Sequence, residues 1–90
     1  MNFGMERRDS MLRDIADEAA TADARYGPFH STHEGLGVLI EEVAELTDAI
    51  RSNKIGSVEM EAIQVAAVAL RLAEVCRMAL TNFCKRSGTQ

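Results

Sequence analysis

Two stretches decide the fold of this chain: Leu39-Ile40-Glu41-Glu42-Val43-Ala44-Glu45-Leu46 and Val58-Glu59-Met60-Glu61-Ala62-Ile63-Gln64-Val65. Both have the apolar spacing of a helix, and Glu42 and Glu45 lie beside the apolar stripe of the first. In the second, Glu61 falls within the apolar face. A buried carboxylate there costs several kcal/mol unless it is paired, protonated or bound to a cation. We therefore expect something to compensate Glu61.

The composition favours one small domain of packed helices, spanning residues 1–90. Of the 90 residues, 47% are hydrophobic and only 4% aromatic, with no Trp and a single Pro. Such a composition suits helices far better than a sheet, so we expect no strands. A chain of this size buries only about 60–65% of its unfolded surface, which leaves a marginal core. We therefore expect a homodimer or homotetramer.

The charge and the apolar runs exclude several classes of protein. The net charge of −4 argues against nucleic-acid binding, because a phosphate backbone selects basic patches. Residues 1–8 have no apolar segment of signal-peptide length, and the longest apolar run, residues 65–70, is too short to span a membrane. We expect a cytoplasmic protein without a membrane partner, in which Cys76 and Cys84 are free thiols.

Periodicity and helix-terminus signals predict three helices, over residues 9–26, 32–52 and 58–83. Gly27-Pro28 ends the first helix. Ser31 caps the second, with Glu34 reaching back in a capping box, and Ser57 caps the third. The short connection between the second and third helices makes them antiparallel. The predicted fold is therefore an all-α, three-helix chain that completes a bundle by oligomerisation.

Two further features of the helices concern packing. Gly35 and Gly37 each cost the second helix up to about 1 kcal/mol relative to Ala, so they allow close approach of a helix or a ligand. Simple close packing is the commoner of these two explanations. The third helix is apolar almost all round, which predicts that it is central or shared with another subunit.

Folding the second and third helices against each other brings oxygen-bearing side chains together. With about 1.5 Å of rise per residue on both, Glu45 lies level with Gln64, and Asp48 lies level with Glu61. Glu42 follows one turn away. Clustered carboxylates repel one another unless a hard divalent cation holds them. Mg²⁺ is the best candidate, because it prefers carboxylate and water oxygens and leaves positions open for substrate phosphates.

Other kinds of site lack support in the sequence. His30 and His33 flank a helix cap, the two cysteines lie on another helix, and neither pair has a zinc-type spacing. For the histidines, a capping or surface role is the commoner explanation. The chain has no glycine-rich phosphate loop and no nucleophile elbow.

The acidic pattern resembles that of a known family. Glu42-x-x-Glu45, a spacer of fifteen residues and Glu61-x-x-Gln64 look like the signature of MazG-like all-α nucleoside triphosphate pyrophosphohydrolases. That signature is Glu-x-x-Glu, a spacer of about this length and Glu-x-x-Asp, on two antiparallel helices of a bundle. The resemblance extends over residues 27–74, and residues 29–35 and 61–67 look like one small MazG-like subgroup.

The resemblance implies an activity and a set of site residues. The family cleaves a nucleoside triphosphate between its alpha and beta phosphates, giving a monophosphate and pyrophosphate, and its bundle is usually a dimer or tetramer. By the same resemblance Glu42, Glu45 and Glu61 bind Mg²⁺, while Glu41 supports the site or the attacking water. Gln64 replaces the family Asp: its carbonyl can ligate Mg²⁺ but brings no charge and cannot act as a base.

Several alternatives remain open at this point. Lys54 and Arg71 can meet phosphate oxygens or can be solvated surface charges. Gln64 can instead donate its amide to Glu45 or Glu61 and hold that carboxylate in place. The whole chain can also be a non-catalytic MazG-like oligomer that binds a nucleotide or a protein. An unrelated helical bundle would leave Glu61 unexplained.

Overall fold

A computed structural model of the protein describes residues 3–88 and their side chains from 4 to 84. It contains three helices, α1 (Phe3–Tyr26), α2 (Thr32–Arg51) and α3 (Ile55–Gly88), and no strand within the described range. The all-α prediction is therefore confirmed. None of these helices combines the length and the apolar character needed to cross a bilayer.

Two helix starts differ from the predicted ones. Helix α1 begins at Phe3 rather than at residue 9, because its first two turns are exposed and lack the apolar periodicity on which the prediction depended. Helix α3 begins at Ile55, so Ser57 lies inside the helix and the prediction that it is the cap is wrong. The Val58 N–H donates to the Lys54 carbonyl at 2.9 Å, which starts the helical ladder three residues earlier.

The connection from α1 to α2 follows the predicted signals. Gly27 has φ +76° and ends α1 in the left-handed conformation that glycine favours. Ser31 accepts a hydrogen bond from the Glu34 N–H at 3.1 Å, as predicted for the cap of α2. The Glu34 carboxylate does reach back, but it accepts from the N–H of His30 at 3.2 Å rather than from that of Ser31. His30 therefore belongs to the cap.

The long helix α3 is the centre of the fold. Helices α1 and α2 both pack on it but do not pack against each other in the described part of the chain. The prediction that the third helix is central is confirmed. Among the side chains from 4 to 84, only a few apolar ones are buried, namely those of Ala19, Phe29, Ala49, Ala67 and Val68. The arrangement leaves a cleft between α1 and α2, with α3 as its floor.

One of the two helical glycines explains how closely α2 approaches α3. A Cβ atom on Gly35 would lie 2.7 Å from Leu72 Cδ1 and 3.2 Å from Phe29 Cδ2. A Cβ on Gly37 would meet nothing within 4 Å. Close helix packing therefore explains Gly35, whereas nothing in the structure explains Gly37.

The chain exposes an unusual amount of surface for its size. Its accessible surface is 7032 Å², against about 5,200 Å² for a compact monomer of 9.9 kDa. The radius of gyration is 16.0 Å, where about 12 Å is typical of 90 residues. Part of this surface is a stripe along the outer face of α2, made of Leu36, Ile40, Val43 and Ile50.

Candidate metal centre and adjoining cleft

Three carboxylates meet where α2 packs on α3. One oxygen from each of Glu42, Glu45 and Glu61 lies within 4.8 Å of the other two. Glu42 and Glu45 are neighbours on α2 because three residues make nearly one turn. The short reversal between the helices places Glu45, and not Asp48, beside Glu61. Asp48, which was predicted to lie level with Glu61, is outside this group.

The electrostatics of this group are unfavourable in the protein alone. Burial raises the pKa of Glu42, and the neighbouring carboxylates of Glu45, Glu61 and Glu41 raise it further. Burial also raises the pKa of Glu61, followed by the effect of Glu45. Although both side chains are half-exposed, the Oε2 atoms of Glu42 and Glu61 are buried and have no hydrogen-bond partner. No cationic side chain among the described residues pairs with Glu61, and a hydrogen bond with the neighbouring Glu45 favours its protonated form.

The donor atoms fit a small divalent cation. Mg²⁺ takes oxygen ligands at about 2.1 Å in an octahedron, so opposite ligands are about 4.2 Å apart. At most one pair among three such ligands is opposite and the other pairs are about 3.0 Å apart, so the three oxygens, which lie within 4.8 Å of one another, would have to draw closer together to share one ion. A cation would also provide the missing partners for the Oε2 atoms of Glu42 and Glu61. Because Glu45 is exposed, such an ion would remain accessible from solvent.

Gln64 does not join the three carboxylates through its amide group. Its Nε2 atom donates a hydrogen bond of 2.8 Å to Glu18 Oε2 on α1. The alternative in which Gln64 donates to Glu45 or Glu61 is therefore wrong. Sequence reasoning missed Glu18. Its position directly before the buried Ala19 was the available signal, because it places Glu18 at the edge of the face that packs on α3.

The cleft between α1 and α2 adjoins these carboxylates and has a volume of about 620 Å³. Of the predicted site residues, it is lined by Glu41, Glu42, Gln64 and Arg71. Glu45, Glu61 and Lys54 do not line it. The wall from α1 includes three residues that the sequence did not single out, Glu18, Thr21 and Arg25.

Arg71 lies at the opposite end of the cleft and is not a surface charge. It is 5% exposed. Its Nε donates to Asp23 Oδ1 at 2.8 Å, and its Nη2 donates to the Gly27 carbonyl at 3.0 Å. The guanidinium carbon also lies 4.2 Å from the centre of the Phe29 ring. Lys54, by contrast, is exposed in the turn between α2 and α3.

Comparisons of the chain with protein-family models, with curated proteins and with solved structures find no match.

Proposed function

We propose that the protein is a Mg²⁺-dependent nucleoside triphosphate pyrophosphohydrolase, which converts a triphosphate and water to a monophosphate and pyrophosphate. The observation that carries the proposal is the pair of buried, partnerless oxygens of Glu42 and Glu61 beside a cleft. At about 620 Å³, the cleft falls within the size range of small-molecule sites. The acidic pattern that resembles the MazG-like family supports the same reaction.

Each part of the cleft has a role in this proposal. Glu42, Glu45 and Glu61 hold Mg²⁺, which supplies charge neutralisation to the phosphates when it is bound. Glu41 lines the cleft next to Glu42 and accepts a hydrogen bond from the attacking water. This bond directs a lone pair of the water oxygen towards the phosphorus. Arg25 and Arg71 line the cleft and offer donors to phosphate oxygens, whereas Lys54 lies outside it.

The test is pyrophosphate release from a panel of canonical and modified nucleoside triphosphates with Mg²⁺. We expect release by the wild type and a loss of at least about a hundredfold in Glu61→Gln, which removes a charged ligand. Glu59→Gln is the matched control, because Glu59 is an exposed α3 carboxylate outside the group. Nucleotide binding without pyrophosphate release would instead support the alternative, a non-catalytic nucleotide-binding module.

We propose further that the protein is a homodimer or homotetramer and that it is cytoplasmic. The cytoplasm contains nucleotides, and its reducing conditions keep thiols such as those of Cys76 and Cys84 free. The surface in excess of a compact monomer, about 1,800 Å², exceeds the roughly 800 Å² that one partner buries in a standard interface. The exposed stripe on α2 lacks charged residues, so two copies can meet there without repulsion.

Light scattering should show a dimer or larger species, and Ile40→Glu should shift it towards monomer. A monodisperse wild-type monomer at micromolar concentration would contradict this proposal.

A further inference from the structure

The contact between Glu18 and Gln64 links α1 to the helix that carries Glu61. It is a partly buried hydrogen bond of 2.8 Å between residues 46 positions apart. Both residues line the cleft, as does Glu42. Helix α1 has no direct packing contact with α2 in the described chain. The Glu18–Gln64 bond therefore connects α1 to the neighbourhood of the carboxylates through α3.

This bond fixes the orientation of the Gln64 amide. An ionised carboxylate only accepts hydrogen bonds, so the NH₂ end of the amide faces Glu18. The carbonyl end is then directed away from Glu18. Since Gln64 follows Glu61 by three residues, the two side chains share one face of α3. Rotating the amide would bring two acceptor oxygens together, which the Glu18 carboxylate disfavours.

The pair also carries one negative charge at a place where the MazG-like pattern has one Asp. An Asp at position 64 would set two carboxylates against each other across the α1–α3 contact. With Gln at position 64, the Glu18 carboxylate instead gains a hydrogen-bond donor. The negative charge is thus present beside the cleft, but it is provided by α1 instead of α3.

We infer that Glu18 is a positioning residue of the candidate metal centre: it orients the Gln64 amide and supplies from α1 the negative charge that position 64 lacks. The inference rests on the proposed function. Residues behind the direct ligands commonly change metal affinity by about 10- to 100-fold when they are replaced. Glu18 is expected to act in this way, through Gln64 and through its charge.

Three variants separate the charge from the hydrogen bond. Glu18→Gln removes the charge but retains an oxygen that accepts from Gln64. Gln64→Glu sets two carboxylates against each other. The double variant, Glu18→Gln with Gln64→Glu, exchanges the two side chains, so the bond persists with donor and acceptor reversed. Asp17→Asn is the matched control, because Asp17 is an exposed acid on α1. Mg²⁺ affinity is measured by calorimetry, and the melting temperature is measured in EDTA.

We expect Glu18→Gln to bind Mg²⁺ about tenfold more weakly with little change in its melting temperature in EDTA. Gln64→Glu should melt lower in EDTA, and the exchange variant should recover both the melting temperature and the Mg²⁺ affinity. Asp17→Asn should match the wild type. Wild-type affinity in Glu18→Gln would overturn the inference, as would an exchange variant that regains stability but not affinity.

The same measurements distinguish this inference from the proposed function. A wild type that binds Mg²⁺ but releases no pyrophosphate would refute the hydrolase, while the affinities of the variants would still decide the role of Glu18. A wild type that binds no Mg²⁺ would refute both.

Discussion

The two ends of the cleft hold buried charge in opposite ways. At one end, Arg71 has a carboxylate, a backbone carbonyl and an aromatic ring around its guanidinium, contributed by Asp23, Gly27 and Phe29. Beside the other end, Glu42, which lines the cleft, and its neighbour Glu61, which does not, each have a buried oxygen without a hydrogen-bond partner. Both ends are built on α3. The difference is that one charge is compensated within the chain and the other is not.

This comparison separates a charge that has partners within the chain from carboxylate oxygens that lack them. A buried ion that pairs with a carboxylate and a carbonyl is costly to remove, because those partners are left unpaired. A buried carboxylate among other carboxylates is costly to keep, and a cation relieves that cost. Removing the charge of Arg71 should therefore lower the stability of the fold, whereas removing a charge from the carboxylates should raise it.

The largest effect is expected at the Arg71 end. Arg71→Ala removes the ion pair, the bond to the Gly27 carbonyl and the contact with Phe29, so we expect a loss of about 3 kcal/mol in the free energy of unfolding. Urea denaturation measures it. Arg77→Ala, at an exposed position of α3, should cost less than about 0.5 kcal/mol. Equal losses in the two variants would show that the Arg71 contacts do not maintain the fold.

The opposite change is expected at the carboxylate end. Glu61→Gln removes one of three clustered charges, so the variant should melt a few degrees higher than the wild type in EDTA. Millimolar Mg²⁺ should raise the melting temperature of the wild type by mass action and leave that of Glu61→Gln unchanged. A wild type that does not respond to Mg²⁺ would refute the metal centre. Glu59→Gln should respond as the wild type does.

The pH dependence of stability should have the sign of a raised carboxyl pKa. Glu42 and Glu61 have pKa values above their ordinary 4.5 in the folded state, so folding favours their protonated forms. Between 4.5 and the raised values the folded chain binds more protons than the unfolded chain, and stability falls as pH rises. The melting temperature measured in EDTA should therefore increase as the pH is lowered from about 7 to about 5.

A control strengthens the pH experiment. The double variant Glu42→Gln/Glu61→Gln should flatten the dependence over the same range. The pKa of Glu34 is lowered, because the side chain and backbone of His30 hydrogen-bond to its carboxylate. Glu34 therefore contributes stability at neutral pH that is lost as the pH falls below 4.5, which is outside the range of the experiment. A melting temperature of the wild type that falls on acidification to about pH 5 would contradict the assignment.

The smallest effect tests whether the two ends are independent. Gly35→Ala places a methyl group 2.7 Å from Leu72 Cδ1 and 3.2 Å from Phe29, which stacks on Arg71. We expect a loss of about 1 kcal/mol, with the Mg²⁺ response retained. Gly37→Ala has open space and should gain up to about 1 kcal/mol. A Mg²⁺ response lost in Gly35→Ala would show that the two ends are coupled.

Local sequence signals predicted most of the fold. The Gly27 exit and the Ser31 cap are determined by neighbouring residues, so the end of α1 and the start of α2 were predicted correctly. The start of α3 was predicted wrongly. Ser57 is a residue type that often caps helices, but it lies inside α3, which begins at Ile55. The carboxylate group contains Glu42 and Glu45 of α2 and not Asp48, which was predicted to lie level with Glu61.

The site was predicted only where one pair of helices builds it. Glu42, Glu45 and Glu61 lie on α2 and α3, so helical geometry predicted them in one region together with Asp48, and the resemblance to the MazG-like signature selected these three. The contacts of Gln64 with Glu18 and of Arg71 with Asp23 depend on how α1 crosses α3. The spacing of residues in the sequence does not determine the angle at which α1 crosses α3. This is why Arg71 could be read as a surface charge and Glu18 passed unnoticed.

Within the described residues α1 and α2 do not pack against each other, and this has a consequence for how the cleft can diversify. Thr21 and Arg25 line its α1 wall, whereas the three clustered carboxylates belong to α2 and α3. A substitution at Thr21 or Arg25 can therefore reshape what the cleft admits without disturbing the acidic end. In the proposed hydrolase, substitutions at these two positions would alter the choice of nucleotide while the three carboxylates stay in place.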